Sequence, residues 1–131
     1  MNISVTTFEK ARDLLESEPF DIAILDIMGV NGYKLLEITN EKKIPAVMLK
    51  AHALSVEDTV KSFKGGATSY VPKEEISRIA AFLNDILLAQ KSGKHIWGRW
   101  LERLGAYYDK KFGSDWQEGD KEFWEKFKYW I

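Results

Sequence analysis

Three charged residues each close an apolar run. Asp26 follows Phe20-Asp21-Ile22-Ala23-Ile24-Leu25, Lys50 follows Pro45-Ala46-Val47-Met48-Leu49, and Lys73 follows Ser69-Tyr70-Val71-Pro72. The loops that follow would bring one carboxylate and two ammonium groups to one edge, where a carboxylate beside a fixed positive charge can act as a nucleophile. Taken alone, an aspartate at a strand end is more often a solvated loop or cap acid than a nucleophile, so the surrounding elements must decide. His52 and His95 stand in no nucleophile or metal-ligand arrangement and read as surface or loop residues. The chain also lacks a Walker-type loop, a dinucleotide glycine motif and a Ser/His/Asp set.

The elements that would position these groups alternate. Residues 2–7 are short and β-branched, and Thr6-Thr7-Phe8-Glu9 has capping-box spacing before a helix with Phe8, Ala11, Leu14 and Leu15 on one face. Pro19 ends that helix, and the continuous apolar run to Asp26 predicts a strand buried on both faces. Tyr33 to Asn40 predicts a short helix, Pro45 to Leu49 a second strand, and Ser55 to Lys64 a helix with Ser55 and Asp58 at capping-box spacing. After Gly65-Gly66-Ala67 comes a brief strand, Ser69-Tyr70-Val71. Glu74 to Gln90 then reads as an amphipathic helix through Ile76, Ile79, Ala80, Leu83, Ile86 and Leu87. Alternation of this kind argues for a parallel sheet with helices on both faces, where function gathers at the carboxyl ends of the strands.

The composition changes after Lys91-Ser92-Gly93-Lys94, which reads as a linker between residues 1–91 and an extension, 92–131. All five tryptophans and eleven of the seventeen aromatic residues lie between Trp97 and Trp130. Trp97, Trp100, Leu101, Leu104, Tyr108 and Phe112 fit one face of a helix; Phe123, Trp124 and Phe127 fit another. Gly113-Ser114-Asp115 predicts a stop and a new cap. Core packing is the ordinary role for aromatics so spaced. Trp100, Trp124 and Trp130 are the alternative candidates for contact with a partner or a dimer mate. With 19 basic and 20 acidic side chains, net charge −1, no basic face favours nucleic acid. The chain has no cysteine for a disulfide or thiolate metal site. Neither an export signal nor an apolar membrane span is visible, and the expected location is the cytoplasm.

Four segments in order carry a specific resemblance: Phe20 to Met28, Gly32-Tyr33-Lys34-Leu35-Leu36, Ile44 to Ala53, and Gly66 to Lys73. They resemble the receiver domains of bacterial response regulators, the phosphorelay modules of two-component systems. The resemblance implies a flavodoxin-like (CheY-like) α/β fold with helices on both faces of a parallel sheet. It implies that Asp26 accepts a phosphoryl group from a histidine kinase or phosphotransfer protein and that Lys73 contacts the phosphoryl oxygens. Tyr70 falls on the aromatic switch position. Met28, two residues after Asp26, falls where a backbone carbonyl joins the aspartate in holding Mg²⁺. A domain of this kind is a phosphoacceptor rather than an enzyme acting on a separate substrate.

The chain departs from the family pattern in three places. Residues 2–18 match the family's second strand and helix, so its first strand, which ends in the Mg²⁺-binding acidic pair, and its first helix are expected to be absent. Four strands are expected instead of five, and Asp26 alone would hold Mg²⁺ weakly. Lys50 occupies the position of the family's small switch hydroxyl; there it would pair with Asp26 or bind the phosphoryl group directly. The loop from Asp26 to Gly32 is short and lacks the common proline. Because the absent strand is central in the 2-1-3-4-5 order, residues 2–7 would pair directly with residues 21–26, or a homodimer or strand-exchanged oligomer would supply the missing element. The alternative function is accordingly a phosphorylation-independent pseudo-receiver that acts as an interaction or dimerisation scaffold.

Overall fold

Local sequence signals account for most of the element boundaries. The computed structural model describes residues 7–26, 31–50, 55–92 and 96–127. Helix α1 (Phe8–Ser17) starts where the Thr7 side chain accepts a hydrogen bond from the Lys10 amide at 3.3 Å. Strand β1 (Ala23–Asp26) follows, then α2 (Gly32–Glu41), whose N-cap Asn31 adopts a left-handed conformation at φ 55°. Asparagine tolerates that region better than most residues. Strand β2 (Ala46–Lys50), helix α3 (Val56–Lys64) and strand β3 (Ser69–Pro72) complete the alternation. Ser55 caps α3 as its spacing predicts, accepting from the Asp58 amide at 3.0 Å.

The strands form a three-stranded parallel sheet in the order β1-β2-β3. Ala23 pairs with Ala46 and Asp26 with Leu49; Val47 pairs with Ser69 and Lys50 with Pro72. Helix α2 packs on α1, β1 and β2, and α3 packs on β3. Leu35, Leu36, Val47, Met48, Phe63, Tyr70 and Val71 are buried. This α/β architecture is consistent with a flavodoxin-like fold. The strand expected at residues 2–7 lies almost entirely outside the described residues.

The turn after α3 shows why glycine is needed there. Gly66 has φ +99°, and a Cβ on it would run into the Asn40 side chain. The Asn40 amide donates to the Gly65 carbonyl at 2.5 Å, tying the end of α2 to that turn.

By its contacts the chain divides into two compact units, Met1–Ile76 and Ser77–Ile131. In the second, α4 (Ile79–Ser92) runs on through Lys91 and Ser92, residues expected in the linker, and packs on α5 (Ile96–Phe112). A turn and a 3₁₀ segment (Glu118–Asp120) lead to α6 (Lys121–Phe127). Gly113, at φ +91°, ends α5 as its sequence position predicts. The new cap comes from Asp120 rather than Asp115: Asp120 Oδ1 accepts from the Phe123 amide at 3.4 Å.

An aromatic cluster forms the core of this unit. Trp97 stacks on Phe127 with centroids 4.9 Å apart, Trp100 on Trp124 at 6.2 Å, and Trp116 meets Tyr108 and Trp124 at 4.8 Å each. Such offset and edge-on pairs are worth roughly 0.5–1.5 kcal/mol each beyond area burial. The Trp116 indole also donates to Asp109 at 2.7 Å.

Three sequence expectations fail here. β1 is not buried on both faces, since Leu25 is buried while Ile24 is 46% exposed; among the described residues β1 pairs only with β2, whereas β2 has strands on both sides. The helix expected from Glu74 begins instead as a 3₁₀ segment (Lys73–Arg78), which places Ile76 in solvent. Leu87, also expected to face inward, is exposed as well.

Candidate functional site at the carboxyl edge of the sheet

The register brings the three charged residues to one edge. Asp26 ends β1 opposite Leu49, Lys50 ends β2 opposite Pro72, and Lys73 is the first residue after β3. A parallel ladder makes this unavoidable, because all three strands point the same way and end within a residue of one another. Lys73 Nζ lies 2.5 Å from Asp26 Oδ2 in a direct ion pair. Both side chains remain partly exposed to solvent, 42% for Lys73 and 32% for Asp26. At that exposure its contribution to stability is small, about 1 kcal/mol or less. Its chemical consequence is larger, because a fixed ammonium already sits on the carboxylate that would receive negative charge.

Lys50 takes a different position. Its side chain is only 10% exposed, and Nζ lies 3.4 Å from Oδ2 of Asp58 in the first turn of α3. Burial of an ammonium is tolerated only with a partner. Asp58 was visible in the sequence only through its capping-box spacing with Ser55. Its carboxylate's role toward Lys50 depends on where α3 lies over the sheet. Tyr70, the expected aromatic switch, is fully buried on β3 opposite Met48.

The other expected site residues separate from this group. Met28, His52, His95 and Trp130 lie outside the described residues. Trp100 and Trp124 are 1% and 4% exposed, inside the aromatic core of their own unit. Among the described residues no three Asp, Glu or His side chains converge as ligands for a metal ion. The Mg²⁺ role expected of Asp26 also involves Met28, outside the described residues; the Asp26 carboxylate is paired with Lys73.

A second charged cluster, missed in the sequence, lies in the other unit. Asp85 on α4 is buried and receives two hydrogen bonds from Arg103 on α5, one from Nε and one from Nη2 at 2.8 Å. Arg99 approaches the same carboxylate at 3.5 Å. The Asp85 hydrogen bonds hold the Arg103 guanidinium above its ordinary, already strongly basic range, against the opposing effect of burial. Asp85 falls on the same turn as Ile86, and only the burial of that face distinguishes it from a solvated acid.

No family model matches the chain. It is similar to the heme response regulator HssR of several Staphylococcus aureus strains, among them bovine RF122 / ET3-1, JH9 and Newman. Identity is 39% over 83 residues, covering 57% of this chain and 37% of each relative. The chain thus spans little more than a third of the length of these relatives. The similarity is to a response regulator, in keeping with the resemblance carried by the segments around Asp26, Lys50 and Lys73. Among the described residues no helix is long and apolar enough to cross a membrane.

Proposed function

We propose that the sheet-bearing unit is a cytoplasmic receiver module of a two-component system, with Asp26 as the phosphoacceptor and a histidine kinase or phosphotransfer protein as the donor. The observation that carries this reading is the 2.5 Å pair between Asp26 and Lys73 at the carboxyl ends of β1 and β3. In the transfer, a carboxylate oxygen of Asp26 attacks phosphorus and the phosphorus–nitrogen bond of the donor phosphohistidine breaks. The electron pair leaves with the imidazole, which takes a proton from solvent. The product is an acyl phosphate on Asp26. Lys73 follows the phosphoryl oxygens as charge builds on them, which lowers the barrier by electrostatic stabilisation rather than by proton transfer.

Incubation of the full chain with acetyl phosphate tests this. The expected result is a mass increase of one phosphoryl group, absent in Asp26→Asn. An unmodified wild type, with or without added Mg²⁺, would overturn the reading.

One observation favours a second reading: where a receiver carries a small hydroxyl, this chain has a buried lysine held by Asp58. A phosphorylation-independent pseudo-receiver acting as an interaction or dimerisation scaffold would show this feature. It predicts no mass increase in the same experiment, together with self-association that Asp26→Asn leaves unchanged in sedimentation.

A further inference from the structure

The connection that leaves Asp26 ends on a dipeptide with chemistry of its own. Asn31 and Gly32 start α2, and of the four asparagines in the chain only Asn31 is followed by glycine. Asn31 is exposed, holds φ 55° and ψ 61°, and makes no side-chain capping hydrogen bond. Its carboxamide is therefore not held by the helix it precedes. Its main-chain carbonyl accepts from the Lys34 and Leu35 amides at 3.1 and 3.2 Å, which closes the first turn. The Gly32 amide is one of the four at a helix start that find no acceptor within the helix, and the partial positive charge there favours loss of its proton. Gly32 also has no Cβ to obstruct approach of the neighbouring side chain. The other asparagines lack this combination. Asn40 donates to the Gly65 carbonyl at 2.5 Å and precedes Glu41 at the end of α2, while Asn84 precedes Asp85 inside α4. Asn2 precedes the β-branched Ile3.

We propose that Asn31 is a site of spontaneous modification, deamidating through a cyclic imide formed with Gly32. The Gly32 nitrogen gives its proton to hydroxide and attacks Cγ of Asn31. A nitrogen–carbon bond forms, the Cγ–Nδ2 bond breaks, and the leaving nitrogen takes a proton from water and departs as ammonia. Water then adds to either carbonyl of the ring. Opening at Cγ gives aspartate; opening at the former main-chain carbonyl gives isoaspartate, whose main chain runs through Cβ and Cγ. Either product adds a carboxylate to the start of α2, on the connection that leaves Asp26. Isoaspartate also takes the carbonyl that serves Lys34 and Leu35 out of the main chain and lengthens the path into α2 by one methylene. Ring closure requires ψ of Asn31 to turn away from 61° and the buried Gly32 to be reached. The reaction therefore draws on molecules whose first turn has opened, as helix ends do more readily than cores. None of this depends on whether Asp26 accepts a phosphoryl group.

The test ages the full chain in warm, mildly alkaline buffer beside a sample held unfolded in urea, until the unfolded sample has converted. Tryptic peptides are then read by mass spectrometry, with electron-based fragmentation to tell aspartate from isoaspartate. In the folded chain the peptide bearing Asn31 should show replacement of NH₂ by OH as a mixture of both products, at a rate that rises with hydroxide. The Asn40 and Asn84 peptides should keep their mass. Asn31→Gly, which suits a left-handed position, should lose the mass change, and Gly32→Ala should slow it severalfold. Intact Asn31 in the folded chain overturns the proposal, because the closed turn then protects the dipeptide. Conversion to aspartate alone overturns it too, since the ring opens to both products, and so does Gly32→Ala ageing at the wild-type rate. Asn40 or Asn84 converting as fast as Asn31 would show that placement at the start of α2 does not select the site.

Discussion

Replacing Arg103 by methionine should cost the aromatic unit about 2 kcal/mol, and the sources of that figure can be followed atom by atom. Arg103 donates twice to Asp85, and the acceptor side chain is 6% exposed while the guanidinium is 24% exposed. Hydrogen bonds to charged groups are worth roughly 1.5–3 kcal/mol when enclosed, and the partial exposure of the arginine moves the expectation toward the lower half. Methionine keeps the apolar stem, so the loss is chiefly that of the charge and its donors. Arg99 is the internal control. It approaches Asp85 at 3.5 Å, is 54% exposed and is shared with Glu102 at 2.9 Å, so Arg99→Met should cost about 0.5 kcal/mol. The double variant Asp85→Leu, Arg103→Met should be less destabilised than Arg103→Met alone, because it leaves no enclosed carboxylate short of a partner. Urea unfolding followed by tryptophan fluorescence is the assay, since every tryptophan lies between residues 97 and 130 and the signal reports on this unit. Since the Arg103 guanidinium is raised in the fold, its contribution is fully present below its ordinary value and fades only as pH rises through the raised one. Neutral and mildly alkaline buffers should therefore give the same difference. Arg103→Met unfolding at the wild-type midpoint, or Arg99→Met costing more, would refute the reasoning.

Three further outcomes follow from other parts of the chain. Lys73→Met should slow acetyl phosphate modification of Asp26 by about tenfold or more, equal to roughly 1.4 kcal/mol of lost transition-state stabilisation; time-resolved mass spectrometry reads it, and an unchanged rate would remove Lys73 from the site. Leu104→Ala, at a position with no solvent exposure, should cost about 2–5 kcal/mol in the same fluorescence-monitored unfolding. Gly66→Ala should destabilise the sheet-bearing unit by about 1–2 kcal/mol, because the residue sits at φ +99° against Asn40; circular dichroism melting of the variant beside Asn40→Ala separates the backbone strain from the lost hydrogen bond to Gly65.

Local signals in this chain were legible, while relations between distant segments were legible only where a parallel sheet forces them. The Ser55 cap, the Gly113 stop and the helices around Leu35 and Phe63 follow from spacing and side-chain type. The convergence of Asp26, Lys50 and Lys73 also follows, because strands that run parallel and end together must present their last residues along one line. The partners of the two enclosed charges could not be read in this way. Asp58 has capping-box spacing, and the same four residues are compatible with a carboxylate turned to its own helix or to Lys50. Asp85 belongs to α4, and its pairing with Arg103 needs α5 folded back along that helix. The exposure of Ile24 was missed because a continuous apolar run signals strand formation without saying how many neighbours the strand will have.

The likeness to receivers and the competence to act as one rest on different residues of the same edge. Likeness is carried by apolar strands and the residues that close them, and these would persist under selection for folding alone. Competence depends on what surrounds Asp26. There the chain holds one ammonium against the Asp26 carboxylate and a second, enclosed, one strand away on Asp58. Two cations at one edge of the sheet suit a site that receives a dianion, and they equally suit one that never does. Mass gain at Asp26 under phosphodonor therefore discriminates between the two readings more directly than further comparison of the strands.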